Sequence, residues 1–153
     1  MDAFCESLNE LLVNAFRSVL KIEEQMLRGM GTLSLSISEM HLLEVVGKGD
    51  AQCRTVSETA KELSLSLPSV TVAVNKLEKR GLLQKAKATE DGRSVLLSLT
   101  DVGQKVERIH RRFHENMVKN IAGDMDETEK AALLKGMAKL NHYFDRKLMS
   151  RPK

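Results

Sequence analysis

Apolar side chains recur at steps of three and four near the start of the chain: Phe4, Leu8, Leu11, Leu12, Ala15, Val19, Ile22, Met26 and Met30. That spacing predicts a long amphipathic helix over residues 4–30, ended by the Gly29 and Gly31 pair. After a short connection, Ser36-Ile37-Ser38-Glu39 has the form of a capping box, in which Ser36 accepts from the Glu39 amide and Glu39 reaches back. The helix it opens, residues 37–46, is apolar nearly all round (Ile37, Met40, Leu42, Leu43, Val45, Val46), so it belongs in the interior. Gly47 to Arg54 reads as a turn.

The capping pattern repeats at Thr55-Val56-Ser57-Glu58 and opens a short helix carrying Ala60 and Leu63. Ser64 and Leu65 make a tight turn. Ser66 then caps a second helix, with Pro68 in the first turn, where a missing amide costs nothing. Val70, Val74 and Leu77 line the inner side of that helix and Gly81 ends it. Two short helices joined by a tight turn form a helix-turn-helix. The period next changes to that of strands over Leu82 to Ala88 and Ser94 to Leu99, with an Asp91-Gly92 hairpin signal between them. Thr100 caps a helix over 101–122, and Asp126 caps a last one over 127–149. The stripe Val102, Val106, Ile109, Phe113, Met117 and Ile121 marks the first; Leu133, Leu134, Met137, Leu140, Phe144 and Leu148 mark the second.

The expected fold is thus mainly α with a small β-hairpin wing: a winged helix-turn-helix module at 32–100, a linking helix at 101–122, and helical dimerisation regions at 1–31 and 123–153. The apolar stripes of the terminal helices exceed what one small module can cover, which calls for a second copy of the chain.

Composition narrows the class. The 153 residues carry 24 basic and 21 acidic side chains, a net charge of +3, which permits nucleic acid as a partner. No apolar run approaches a membrane span, and Met1 to Glu10 holds acids with no basic stretch, unlike a secretory leader. Two cysteines build no disulfide framework, so a reducing cytoplasm is expected. With only 3% aromatic residues and eight methionines, aliphatic and methionine side chains do most of the packing.

In a winged helix the second helix of the pair enters the major groove and the hairpin tip reaches the adjacent minor groove. On the helix that starts at Ser66, the residues Pro68, Ser69, Thr71, Val72, Asn75 and Lys76 point away from the core side. Ser69, Thr71 and Asn75 can hydrogen-bond bases or phosphates, and Val72 can touch a thymine methyl. Lys76, Lys79 and Arg80 suit phosphates. Arg93 at the hairpin tip suits a narrow minor groove, with Asp91 placed to hold its guanidinium. A solvent-facing polar helix with no DNA role is the plainer alternative; the wing arginine together with the polar recognition face argues against it. No phosphate-binding Gly loop, Ser/His/Asp order or carboxylate pair suggests an enzyme.

The segments Thr55 to Leu63, Ser69-Val70-Thr71, Asn75 to Leu82, Glu90-Asp91-Gly92-Arg93 and Leu97 to Gly103 together resemble the MarR family of transcription regulators, over essentially the whole chain. The resemblance implies a homodimer on a pseudo-palindromic operator, with the first and last helices interleaved. Within the family, Ile22 to Gly29, Ser36 to His41 and His110 to His114 are most similar to the FabT group, repressors of bacterial fatty-acid synthesis. That similarity implies long-chain acyl groups on acyl carrier protein as corepressor. The residue pattern is compatible with an apolar ligand pocket at Met26, Met30, Met40, Phe113 and Met117, since methionine lines adaptable cavities, although ordinary core packing would explain the same residues. Arg108, Arg111 and Arg112 form a basic cluster suited to an acidic carrier.

A rival reading is metal. His110 and His114 lie four apart on one helix, the spacing that brings two imidazoles to one ion. His41 sits on a buried helix, and Glu23 on an apolar face needs a partner. Glu23, His41, His110 and His114 would suit zinc, and the set resembles that of the zinc-dependent repressors of the family. A structural network of acid and histidines accounts for the same residues. A further alternative is release by a small phenolic or thiol-oxidising signal. Cys5 stands near a helix N-terminus, a setting that favours thiol reactivity, Cys53 falls in a polar turn, and Tyr143 is the lone tyrosine.

Overall fold

The structure, a computed structural model, describes residues 2–49, 53–87 and 94–149, without the side chains of residues 32 and 149. Among them the order is α1 (Ala3–Gly29), a 3-10 turn (Gly31–Leu33), α2 (Ile37–Gly47), β1 (Cys53–Thr55), α3 (Val56–Glu62), α4 (Leu67–Lys79), β2 (Leu83–Lys87), β3 (Val95–Leu99), α5 (Asp101–Gly123) and α6 (Glu127–Met149). The chain forms two compact units, Met1–His110 and Arg111–Lys153.

Local chemistry sets the boundaries. Asp2 caps α1 by accepting from the Cys5 amide. Both predicted capping boxes form. Ser36 Oγ accepts from Glu39 N at 3.2 Å while Glu39 accepts from Ser36 N at 3.0 Å. Thr55 and Glu58 do the same at the start of α3. Ser64 takes a left-handed conformation in the tight turn, as Gly81 does after α4, where a positive φ favours glycine. Thr100 ties the start of α5 to that turn: its hydroxyl donates to Gly81 O at 2.6 Å and accepts from Gly103 N at 3.1 Å. Asp126 and Glu129 close a reciprocal pair at the start of α6.

The first unit carries the core. Met40, Leu42, Leu43 and Val46 of α2 pack with Val70, Val74 and Leu77 of α4, with Leu82, Leu83, Leu97 and Leu99 of the sheet segment, and with Leu27 and Val106. Each leucine wholly buried here contributes about 2 kcal/mol of apolar transfer. The expectation that α2 is interior and that α4 buries Val70, Val74 and Leu77 is met.

The sheet differs from the two-stranded hairpin expected. It has three antiparallel strands in the order β1-β3-β2. Residues 53–55, read from sequence as the end of a turn and the following helix cap, pair with β3 in the register Arg54 with Leu97 and Thr55 with Leu96. A strand this short has no alternation to reveal it; β3 supplies the hydrogen bonds that make it one. Cys53 consequently sits half-buried on β1 and not in a polar turn. Strands β2 and β3 pair from Leu83 with Leu99 to Lys87 with Val95.

Within the second unit, α6 presents Leu134 at 71% exposure, along with Leu133, Met137, Phe144 and Leu148. Tyr143 meets Phe144 edge-on, and Lys147 lies 5.8 Å over the tyrosine ring. At the other end of the chain, α1 exposes Phe4 (72%), Leu11, Phe16 and Leu20. None of the helices is long and apolar enough to cross a membrane, among the described residues.

Candidate nucleic-acid interface and buried acid–histidine cluster

Helix α4 displays the polar face its sequence predicts. Ser66, Pro68, Ser69, Thr71, Val72, Asn75 and Lys76 are all exposed, Val72 at 68%. Their polar atoms are partly committed. The Ser66 and Ser69 hydroxyls share a hydrogen bond of 2.7 Å. Thr71 donates its hydroxyl proton to Leu67 O at 2.8 Å, so toward a ligand it accepts and offers its methyl group. Lys85 of β2 donates to Asn75 Oδ1 at 2.8 Å.

Two of the cations assigned to phosphates are paired within the chain. Glu39, at the start of α2, receives Lys76 Nζ at 2.7 Å and Arg80 at 3.1 Å. Burial pushes the Glu39 carboxyl up, but Lys76, the Ser36 amide and Arg80 outweigh it and hold the group below its ordinary value of 4.5. Lys76 keeps most of its side chain in solvent and could turn toward a phosphate, whereas Arg80 is largely enclosed. The wing-tip residues Asp91 and Arg93 lie outside the described residues.

A second group of side chains converges inside the first unit. Glu23 of α1 and His110 of α5 are almost wholly buried, at 2% and 0% exposure. Glu23 Oε1 receives His110 Nε2 at 2.7 Å and His41 Nε2 of α2 at 3.1 Å. With Glu23 ionised, both imidazoles donate through Nε2. Glu44, one turn beyond His41 on α2, stands 3.8 Å from His110 Nδ1. Burial pushes the Glu44 carboxyl up, but Lys48 and the neighbouring histidines hold it below 4.5.

One ligand atom from each of Glu23, His41 and His110 lies within 4.8 Å of the others. A carboxylate and two imidazoles suit zinc, which is commonly four-coordinate, so a fourth ligand or a water would complete the site. Zinc there would need an ionised carboxylate and neutral imidazoles, so its affinity would fall with acid. The fourth sequence candidate, His114, belongs to the second unit, half-buried with its ring edge-on to Phe113.

The apolar candidates behave differently. Met40 is a core residue at 0% exposure, and Met26 and Met30 pack partly buried against the same core. Phe113 and Met117 are half-buried in the second unit. The cavity nearest to Met26 and Met30 in sequence is about 510 Å³, but its walls are Leu27, Arg28, Leu35, Ile37 and their neighbours. Arg108, Arg111 and Arg112 are exposed, as is Cys5.

Sequence reading missed three residues of these sites. The sequence marks Glu39 only as a cap, Glu44 only as one position of an apolar helix, and Lys85 only as a strand residue. A signal for Lys85 exists: it lies two residues after buried Leu83, hence on the same face of β2, where the core gives out.

Comparison with known proteins agrees with this architecture. A family model described as MarR family matches residues 33–94. The transcriptional regulator AdcR of Streptococcus pneumoniae is 31% identical over 111 residues, 71% of this chain and 70% of AdcR. The transcriptional regulator ZitR of Lactococcus lactis subsp. cremoris is 30% identical over 112 residues, 73% of this chain and 66% of ZitR, just under two thirds of that relative's length. The crystal structure of Streptococcus pneumoniae FabT in complex with DNA matches with a TM-score of 0.87 at 38% identity, over 92% of this chain and 97% of that one. These similar proteins are regulators and not enzymes. With the winged helix-turn-helix described above, they establish that the chain belongs to the MarR family of DNA-binding transcription regulators.

Proposed function

We propose that this protein is a cytoplasmic homodimeric repressor of fatty-acid biosynthesis genes, and that long-chain acyl groups on acyl carrier protein act as its corepressor. The observation that carries this reading is the 38% identity and 0.87 TM-score to DNA-bound FabT over 92% of the chain. The terminal helices serve as the dimerisation region and residues 32–100 as the DNA module, joined by 101–122. Ser66, Pro68, Ser69, Thr71, Val72, Asn75 and Lys76 face the major groove. Arg93, supported by Asp91, enters the minor groove. Exposed Phe4 and Leu11 of α1 and Leu134 and Leu148 of α6 support the dimer, because rows of large apolar side chains left in solvent mark contact surfaces. The residues this reading assigns to the acyl chain are Met26, Met30 and Met40 of the first unit and Phe113 and Met117 of the second. Since Met40 is fully packed, ligand entry requires the core around α2 to open.

The test is operator binding by the full-length protein with acylated and bare carrier protein. Tightening by the acylated carrier alone supports the reading; an equal response to both overturns it.

A second reading has its own observation. The convergence of Glu23, His41 and His110 supports a zinc-responsive repressor. In that case zinc would change operator affinity and chelator would reverse the change. His110→Ala would then abolish the zinc response; a response that survives it would rule out this cluster as the sensor.

A further inference from the structure

We propose that Lys85 on β2 is a positioning residue for base reading, setting the orientation of the Asn75 amide so that it reads a base edge offering only acceptors, guanine foremost. This rests on the proposed role of Asn75 in the major groove. Lysine has donors and no acceptor, so the Asn75 atom 2.8 Å from its Nζ is the carbonyl oxygen. Lys85 is itself anchored by Glu78, one turn further along α4, at 2.7 Å. The three side chains form a chain from Glu78 through Lys85 to Asn75.

The fold explains why Lys85 is there. It pairs with Leu97 across the sheet, so both lie on the face that carries the buried core. Its stem continues the line of Leu83 past the edge of that core, and its ammonium arrives over α4.

The consequence is chemical. An asparagine normally reads adenine by accepting from N6 and donating to N7. Here an ammonium occupies the accepting end and repels a second donor arriving at the same oxygen. It also polarises the amide, which strengthens donation from Nδ2. No other described residue takes the Nδ2 hydrogens, so they remain for N7 and O6 of guanine or O4 of thymine.

The experiment selects preferred duplexes from a random library with the full-length wild-type protein. It then measures affinities for single-base variants with Asn75→Ala, Lys85→Met, Lys85→Arg and Glu78→Gln. Asn75→Ala should erase discrimination at one or two base pairs, by about tenfold. Lys85→Met should lose discrimination at those same pairs and admit adenine there. The double variant should be no worse than Asn75→Ala alone, and Lys85→Arg should restore the wild-type preference. Glu78→Gln should weaken the preference in part. If Lys85→Met weakens every duplex alike and lowers the salt slope by about one, Lys85 is a phosphate ligand and the proposal fails. Unchanged preference in Lys85→Met also overturns it while leaving Asn75 as a base reader. An Asn75→Ala protein with wild-type preferences everywhere removes both the reader and its positioning residue.

Discussion

Glu39 is gripped by a backbone amide, an ammonium and a guanidinium, at 3.0, 2.7 and 3.1 Å. Its carboxyl titrates lower in the folded chain than its ordinary 4.5, so its contribution to stability is full above that pH and disappears as the pH falls below it. Glu39→Gln should therefore flatten the acid limb of stability against pH. It should cost about 1 kcal/mol at neutrality, since Lys76 stays largely in solvent, as urea midpoints at two pH values would report. Glu23 is a stricter case, buried and holding two imidazoles. Glu23→Ala should cost about 3 kcal/mol by removing the acceptor of the buried His110 Nε2. Glu23→Gln keeps an accepting oxygen and should recover much of that loss in thermal melts while supplying no anionic ligand for zinc. Sequence spacing flagged Glu23, His41 and His110 because an acid on an apolar stripe requires a partner. It could not find the internal pairing of Lys76, whose partner Glu39 lies on α2 far back along the chain, nor the contact of Lys85 with Asn75, which depends on how β2 folds back over α4.

At the scale of elements, local chemistry is readable at most caps that act within a few residues, the Asp2 cap of α1 being an exception. The boxes at Ser36 and Thr55, the cap at Ser66 and the stop at Gly81 all depend on neighbours three or four positions apart. Thr55→Ala should cost about 0.5–2 kcal/mol through loss of the α3 cap, visible as a lower melting temperature. Strand β1 escaped sequence reading because its reason for existing is β3, more than forty residues on. The close approach at Gly103 is hidden for a related reason. A Cβ there would fall 1.9 Å from the Leu82 carbonyl oxygen, where α5 crosses the chain leaving α4. Gly103→Ala should destabilise the first unit by about 1–3 kcal/mol despite the better helix propensity of alanine, because the obstacle is backbone and must move.

For the whole molecule, the exposed apolar residues of α1 and α6 argue that the functional species is larger than one chain. Sedimentation should report a dimer, and Leu134→Glu with Leu148→Glu should shift it to monomer and weaken operator binding with it. The wing adds a separate expectation: Arg93→Ala should lower operator affinity more than tenfold while leaving the dimer intact, as for loss of a charged minor-groove contact. The central claim, control of operator binding by an acylated carrier, is tested most directly by fluorescence anisotropy. The measurement titrates the full-length protein onto a palindromic operator of the FabT type in the presence of chelator, with and without long-chain acyl carrier protein. Tighter binding with the acylated carrier and no change with the bare carrier is the predicted result. An unchanged affinity with the acylated carrier, restored to a response only when zinc replaces chelator, would contradict it and transfer control to Glu23, His41 and His110.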